Sequence, residues 1–155
     1  MELHAWFNPF RAHHFKAVSP IAPSHSASTH PEMVRSYGGY LWLDPGDPEV
    51  RAHSLRVVMD VLKRYDVDGI HFDDIFYPYR EKNSAGAEID FPDWATWSKS
   101  GKNGGLSRDD WRRRNVDIFM EQDVSRHQGR ETLGEIRHQP LRHLAAQISA
   151  QHQGF

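Results

Sequence analysis

Short apolar runs separated by polar, proline-punctuated stretches predict an alternation of strands and helices along this chain. Leu3–Phe7 reads as a short buried strand. Asn8–Gly39 holds Pro9, Pro20, Pro23 and Pro31 and reads as one long irregular stretch, a kind of segment that usually serves function. Tyr40–Leu43 is a second strand, stopped at Asp44-Pro45-Gly46. Asp47 caps a helix with Pro48 in its first position. Its apolar residues Val50, Val57, Val58, Val61, Leu62 and Tyr65 fall on one face at helical spacing. Asp66-Val67-Asp68-Gly69 ends it, and Ile70–Asp73 is the next strand. Residues 80–106 read as loop, with a turn of helix around Asp93–Trp97. Ser107 opens a further helix with Asp110 in a weak capping box, and Trp111, Asn115, Ile118 and Phe119 line its inner side. Beyond residue 120 only Leu141–Ser149 reads as helical. Strand, helix, strand, helix predicts an α/β fold with a parallel sheet or barrel, whose chemistry sits at the carboxyl ends of the strands.

Composition divides the chain in two. All five Trp and all five Tyr precede residue 112, and every Gln follows residue 121. Residues 1–120 read as a core-forming domain, and residues 121–155 as a Gln-rich polar tail, poorly ordered or helical. The mean hydropathy of −0.73 averages these unlike pieces. With 19 basic against 21 acidic residues there is no basic excess to neutralise phosphates, so no nucleic-acid partner is expected. No apolar run reaches membrane-spanning length. The absence of cysteine excludes thiol catalysis and cysteine-ligated metal. No phosphate-loop, nucleophile-elbow or kinase motif occurs.

Candidate chemistry concentrates at two strand ends. In Asp68-Gly-Ile-His-Phe-Asp-Asp74, residues His71 and Asp73 share one face of a strand. Glycosidases use a carboxylate at such a place to attack or stabilise an oxocarbenium-like centre, which makes Asp73 and its neighbour Asp74 the catalytic candidates. The plainer alternative pairs them with Arg11 or Arg80. In His4-Ala-Trp-Phe-Asn-Pro-Phe-Arg11, Trp6 can stack on a sugar while Asn8 and Arg11 read its hydroxyls. Trp6 as an ordinary core aromatic is the competing reading, and His4 reads as a core histidine. His71 and Tyr77 complete the substrate-binding candidates. Asp74, Glu88, Asp90 and Asp93 are the carboxyl groups available as a second, acid member. The loop histidines lack zinc spacing, so no metal or other cofactor is expected. A metal-dependent hydrolase built on His71 and Asp73 stays as an alternative, and so does a non-catalytic carbohydrate-binding module. Arg112-Arg113-Arg114 reads as a solvated helix face.

Several of these stretches together resemble one family. Leu3–Arg11, Tyr40–Gly46 with Pro48–Arg51, Arg64–Asp74 with Phe76-Tyr-Pro78, Asp90–Asp93, and Leu106–Arg113 with Asn115 occur in the order found in the glycosyl hydrolase-like 10 family of bacterial glycosidases. The resemblance covers about residues 1–119. It implies a partial (β/α)8 TIM-barrel-like fragment and hydrolysis of bacterial glycan, with peptidoglycan glycan strands a candidate substrate. It also implies Asp73 as nucleophile or electrostatic stabiliser, and export to the cell envelope, for which this chain carries no signal peptide. The family's earlier strands and later segments have no counterpart in the sequence. A truncated copy is therefore expected, weakly active or inactive and prone to self-association through uncovered barrel edges.

Overall fold

The structure, a computed structural model, describes residues 1–72 and 76–132, with side chains up to residue 122. The helix expected at Leu141–Ser149 and the Gln-rich tail beyond Thr132 lie outside the described residues. The centre is a parallel pair of strands, β1 (His4–Phe7) and β5 (Gly69–Phe72), in which Trp6 stands opposite His71 and Phe7 opposite Phe72. The intervening chain forms β2 (Arg11–His13), the short helix α1 (Ser26–Thr29), a 3-10 turn at Pro31–Met33, β3 (Val34–Tyr37), β4 (Tyr40–Leu43) and helix α2 (Pro48–Arg64). Beyond β5 lie a hairpin of β6 (Glu81–Lys82) and β7 (Glu88–Ile89), helix α3 (Trp94–Ser100) and the long helix α4 (Arg108–Thr132). The α/β expectation with a parallel sheet holds.

Local signals place most of these elements. The Asp47 carboxylate accepts the Glu49 amide at 2.9 Å and Pro48 opens α2. The Ser107 hydroxyl accepts the Asp110 amide at 3.1 Å and donates to the Asp110 carboxylate at 2.6 Å, which starts α4. Gly38 and Gly39, at φ 58° and 78°, make the two-residue turn between β3 and β4, where a side chain would be strained.

Three expectations fail here. Asn8–Gly39 is not wholly irregular, because β2 and β3 pair antiparallel on either side of β4. Strands of three or four residues with no apolar alternation exist only through that pairing. The 80–106 segment holds the β6–β7 hairpin. The Asn83 carboxamide, accepting the amides of Ala85 and Ala87 at 3.0 Å each, closes its turn. Helix α4 does not stop near residue 120 but continues to Thr132.

The core lies where α2 and α4 meet the excursion that follows β1. Phe10, Val50, Leu55 and Phe119 are fully buried and form one cluster with Leu43. The Phe119 ring meets Phe10 at 5.0 Å and Phe72 at 5.4 Å, both edge-on. Each such side chain contributes about 1.5–3 kcal/mol by leaving water. The buried face of α2 differs from the apolar stripe read in the sequence. It comprises Val50, Arg51, Ser54, Leu55 and Val58, whereas Val57 and Tyr65 are 46% and 63% exposed. Arg51 and Ser54 are tolerated inside because Ser54 donates to the Pro9 carbonyl at 2.7 Å and Arg51 to the Pro45 carbonyl at 2.7 Å. No helix among the described residues is long and apolar enough to cross a membrane.

Candidate functional site

Parallel pairing sends the carboxyl ends of β1 and β5 to the same side, so the chain leaves both strands at one end, into Asn8 and into Asp73. The two faces of this pair differ. Phe72 packs on the cluster to which α2 and α4 contribute, and Ile70 is buried. His4, Trp6 and His71 stand on the opposite, exposed face. Trp6 is 56% exposed, so it is not a core aromatic. His4 is not a core histidine either, since its ring sits at the surface 3.5 Å from the Glu2 carboxylate.

The other binding candidates separate. Asn8 is half-buried, and its carboxamide accepts the Arg11 amide at 3.0 Å, closing the turn out of β1. Arg11 is half-buried on β2, opposite Trp42. Tyr77 was expected beside the sugar with Trp6; instead its ring is only 7% exposed. It packs with Tyr37, Trp42 and Phe91 beneath the Arg112 guanidinium, 5.8 Å from its centroid. Burial, reinforced by the charges of Asp44 and Asp93, pushes its hydroxyl well above the usual tyrosine range. The structure therefore brings Trp6 and His71 together, leaves Asn8 and Arg11 at the turn behind them, and moves Tyr77 inside. Asp73 and Asp74 lie outside the described residues.

Three of the loop carboxylates offered as a second acid, Glu88, Asp90 and Asp93, are held by arginine. Arg80 meets Glu88 at 2.5 Å and Asp109 at 3.4 Å. Asp93 is fully buried and takes Arg112 Nε at 2.7 Å as well as Arg108. Asp90 meets Arg108 at 2.5 Å and Arg112 at 2.8 Å. Burial alone would raise the Asp90 pKa, but the bonds and charges of Arg112 and Arg108 outweigh it and hold the carboxyl below its usual range. A general acid at neutral pH needs the opposite shift. Among the described residues, no group of three His, Cys, Asp or Glu could hold a metal ion.

Behind the strand ends lies a buried polar layer that sequence reasoning missed. Asp44, read as a strand stop, is fully buried and accepts Thr96 Oγ1 at 2.6 Å, the Gly46 amide at 2.9 Å and Arg35 at 3.3 Å. Burial nevertheless raises its pKa. Arg51 donates to Asn115 at 3.0 Å, tying α2 to α4. Arg112 is buried rather than solvated, unlike exposed Arg113 and Arg114. One signal was available. Arg51 and Arg112 fall at positions in phase with the apolar residues of their helices, where a charged residue needs a partner inside.

The unit is α/β, with helices against one face of the parallel strand pair and an exposed aromatic and histidine on the other. Comparison with known proteins narrows the class. Residues 1–128 match the glycosyl hydrolase-like 10 family. Glycosyl hydrolase YngK of Bacillus subtilis (strain 168) is 41% identical over 123 residues, 79% of this chain and 23% of that protein. Glycosyl hydrolase DigH of Escherichia coli (strain K12) is 35% identical over 125 residues, 75% of this chain and 27% of that protein. This chain belongs to the glycosyl hydrolase-like 10 family. It spans about a quarter of the length of the curated relatives it matches.

Proposed function

We propose that the described unit is part of the wall of a (β/α) barrel and that the chain serves glycoside hydrolysis of bacterial glycan, with peptidoglycan glycan strands the candidate substrate. The observation that carries this reading is Trp6 beside His71 on the exposed face of β1 and β5, two residues before Asp73. A barrel wall keeps helices outside and turns its other face inward, toward the substrate end. That arrangement accounts for why a strand pair backed by α2 and α4 leaves its aromatic face bare.

In this reading the Trp6 ring stacks on the apolar side of a sugar, and His71 and Arg11 meet its hydroxyls. Asn8 fixes the turn between them, and Tyr77 supports the segment from beneath rather than touching sugar. Asp73 acts as nucleophile or electrostatic stabiliser, with Asp74 beside it. Cleavage needs a second carboxyl group about 5–10 Å away. Since Glu88, Asp90 and Asp93 are engaged by arginine, that acid is Asp74 or comes from a further barrel strand. Where the acid is not Asp74, these residues by themselves turn substrate over weakly or not at all. The change in composition near residue 120 marks a proposed division into a barrel unit and a polar tail, with α4 running across it. The outer edges of β1 and β5 are where self-association would occur.

The exposed Trp6 also favours a second reading, carbohydrate binding without turnover. Assay of the purified chain on stripped peptidoglycan strands separates the two. Weak hydrolysis abolished by Asp73→Asn supports catalysis. Binding that survives Asp73→Asn but is lost in Trp6→Ala, with no hydrolysis, supports the binding module. A chain that neither binds nor cleaves the strands refutes both.

A further inference from the structure

Arg51 on α2, Asn115 on α4 and Tyr77 in the segment that follows β5 are 7%, 4% and 7% exposed, so bulk solvent does not serve their polar atoms. The heads of these side chains lie together. Arg51 Nη1 donates to Asn115 Oδ1 at 3.0 Å and to the Pro45 carbonyl at 2.7 Å. Burial and then the charges of Asp44 and Asp93 raise the Tyr77 pKa, and the neighbouring Asn115 carboxamide pulls the other way. Three atoms of this cluster nevertheless have no hydrogen-bond partner among the described residues: Arg51 Nε, Asn115 Nδ2 and Tyr77 Oη. Buried polar atoms are nearly always paired, and three bare ones in one place would weigh heavily against the fold.

We propose that these three atoms are a binding site for one buried water molecule, which joins α2, α4 and the segment after β5. The donor count calls for such a molecule. Arg51 Nε carries one N–H, Asn115 Nδ2 carries two and the Tyr77 hydroxyl carries one, against the Tyr77 oxygen as acceptor. A water accepts from Arg51 Nε and Asn115 Nδ2 and donates to the Tyr77 oxygen, and about three bonds are usual for a buried water. It also accounts for how Asn115 acts on Tyr77 without a direct bond, because a water between two polar groups carries their interaction. The charges favour a neutral occupant over an anion. Arg112, which lies over the Tyr77 ring, is taken by Asp93 and Asp90. The other cation, Arg51, feels the carboxylates of Asp47 and Asp44, so little net positive charge is left to hold an anion. The site stands whether or not the chain acts on glycan.

A crystal structure of the full chain grown in sodium bromide tests it. One solvent peak within about 3.2 Å of Arg51 Nε, Asn115 Nδ2 and Tyr77 Oη, with no anomalous bromine signal, is expected. A bromine signal there, or no peak at all, overturns the proposal. In solution, magnetisation transfer from water to the Arg51 Nε–H and the Asn115 carboxamide should be seen in the wild type. It should persist in Tyr77→Phe, which lacks the exchangeable hydroxyl proton; absence in the wild type, or loss in the variant, overturns the site. The same variant gives a third readout. A hydroxyl that holds a water supports the fold and a bare one burdens it, so the urea midpoint of Tyr77→Phe should fall by about 0.5 M. An unchanged or raised midpoint overturns the proposal.

Discussion

Replacing Arg112 by Met removes the cation that lies between Tyr77 and the buried Asp93. Arg112 Nε reaches Asp93 at 2.7 Å, and Nη2 reaches Asp93 and Asp90 at 2.8 Å each. The guanidinium is 4% exposed and Asp93 is not exposed at all, so solvent screens little of this interaction. Removing one partner of a buried pair costs about 3–5 kcal/mol, because the other charge stays behind in a medium that solvates it poorly. Arg108 keeps its own bonds to Asp93, which places the expected loss near the lower end, about 3 kcal/mol. With a urea m-value of about 2 kcal/mol/M, the unfolding midpoint should fall by about 1.5 M. Tryptophan fluorescence follows it well, since the Trp94 ring lies 5.6 Å from the Arg108 guanidinium and buried Trp111 adjoins Arg112. The matched control is Arg113→Met. That side chain is 49% exposed and its partner among the described residues is Asp110, so its loss should change stability by less than about 0.5 kcal/mol. Equal midpoint shifts in the two variants would refute the reasoning and restore the three arginines to a common solvated face. In a double-mutant cycle with Asp93→Asn, the pair should cost less than the sum of the single changes.

Other outcomes follow from the same geometry. Phe119→Ala empties a fully buried site between Phe10 and Phe72 and should cost about 3–5 kcal/mol in the same unfolding assay. Gly46→Ala drives a Cβ into the buried Trp111 ring at Cη2 and should cost about 1–3 kcal/mol in the same unfolding assay; wild-type stability would overturn that reading. Burial, with Arg56 and His30, lowers the His53 pKa from 6.5, so the folded state binds fewer protons there than the unfolded chain. That contribution to stability is full above pH 6.5 and lost as pH falls through the lowered value, and His53→Gln should flatten this part of the stability–pH profile. The Asp44 carboxyl works in the other direction. Its pKa is raised from 3.8, so its penalty grows as pH rises through the window above that value, and Asp44→Asn should remove the slope while keeping an acceptor for Gly46.

The sequence by itself determined the elements whose causes are local. The Asp47-Pro48 and Ser107–Asp110 starts, the apolar runs of β1, β4 and β5, and the α/β order need only a residue and its near neighbours. The motifs that carry the family resemblance are equally local, and the exposed strand face shared by Trp6 and His71 follows from period-two spacing. The tertiary structure decided which side of each residue meets water. The three consecutive arginines are chemically alike, yet only Arg112 faces Asp93, a partner brought to it by the fold. Tyr77 turned inward because Phe91 and Tyr37 form a pocket for its ring, and Trp6 stayed outward because nothing among the described residues covers its face. Strands β2 and β3 exist through hydrogen bonds to β4, which no local pattern announces. Burial and pairing are sums over distant neighbours, so a one-dimensional pattern fixes where a charge or ring sits along its element, and only packing fixes what it touches.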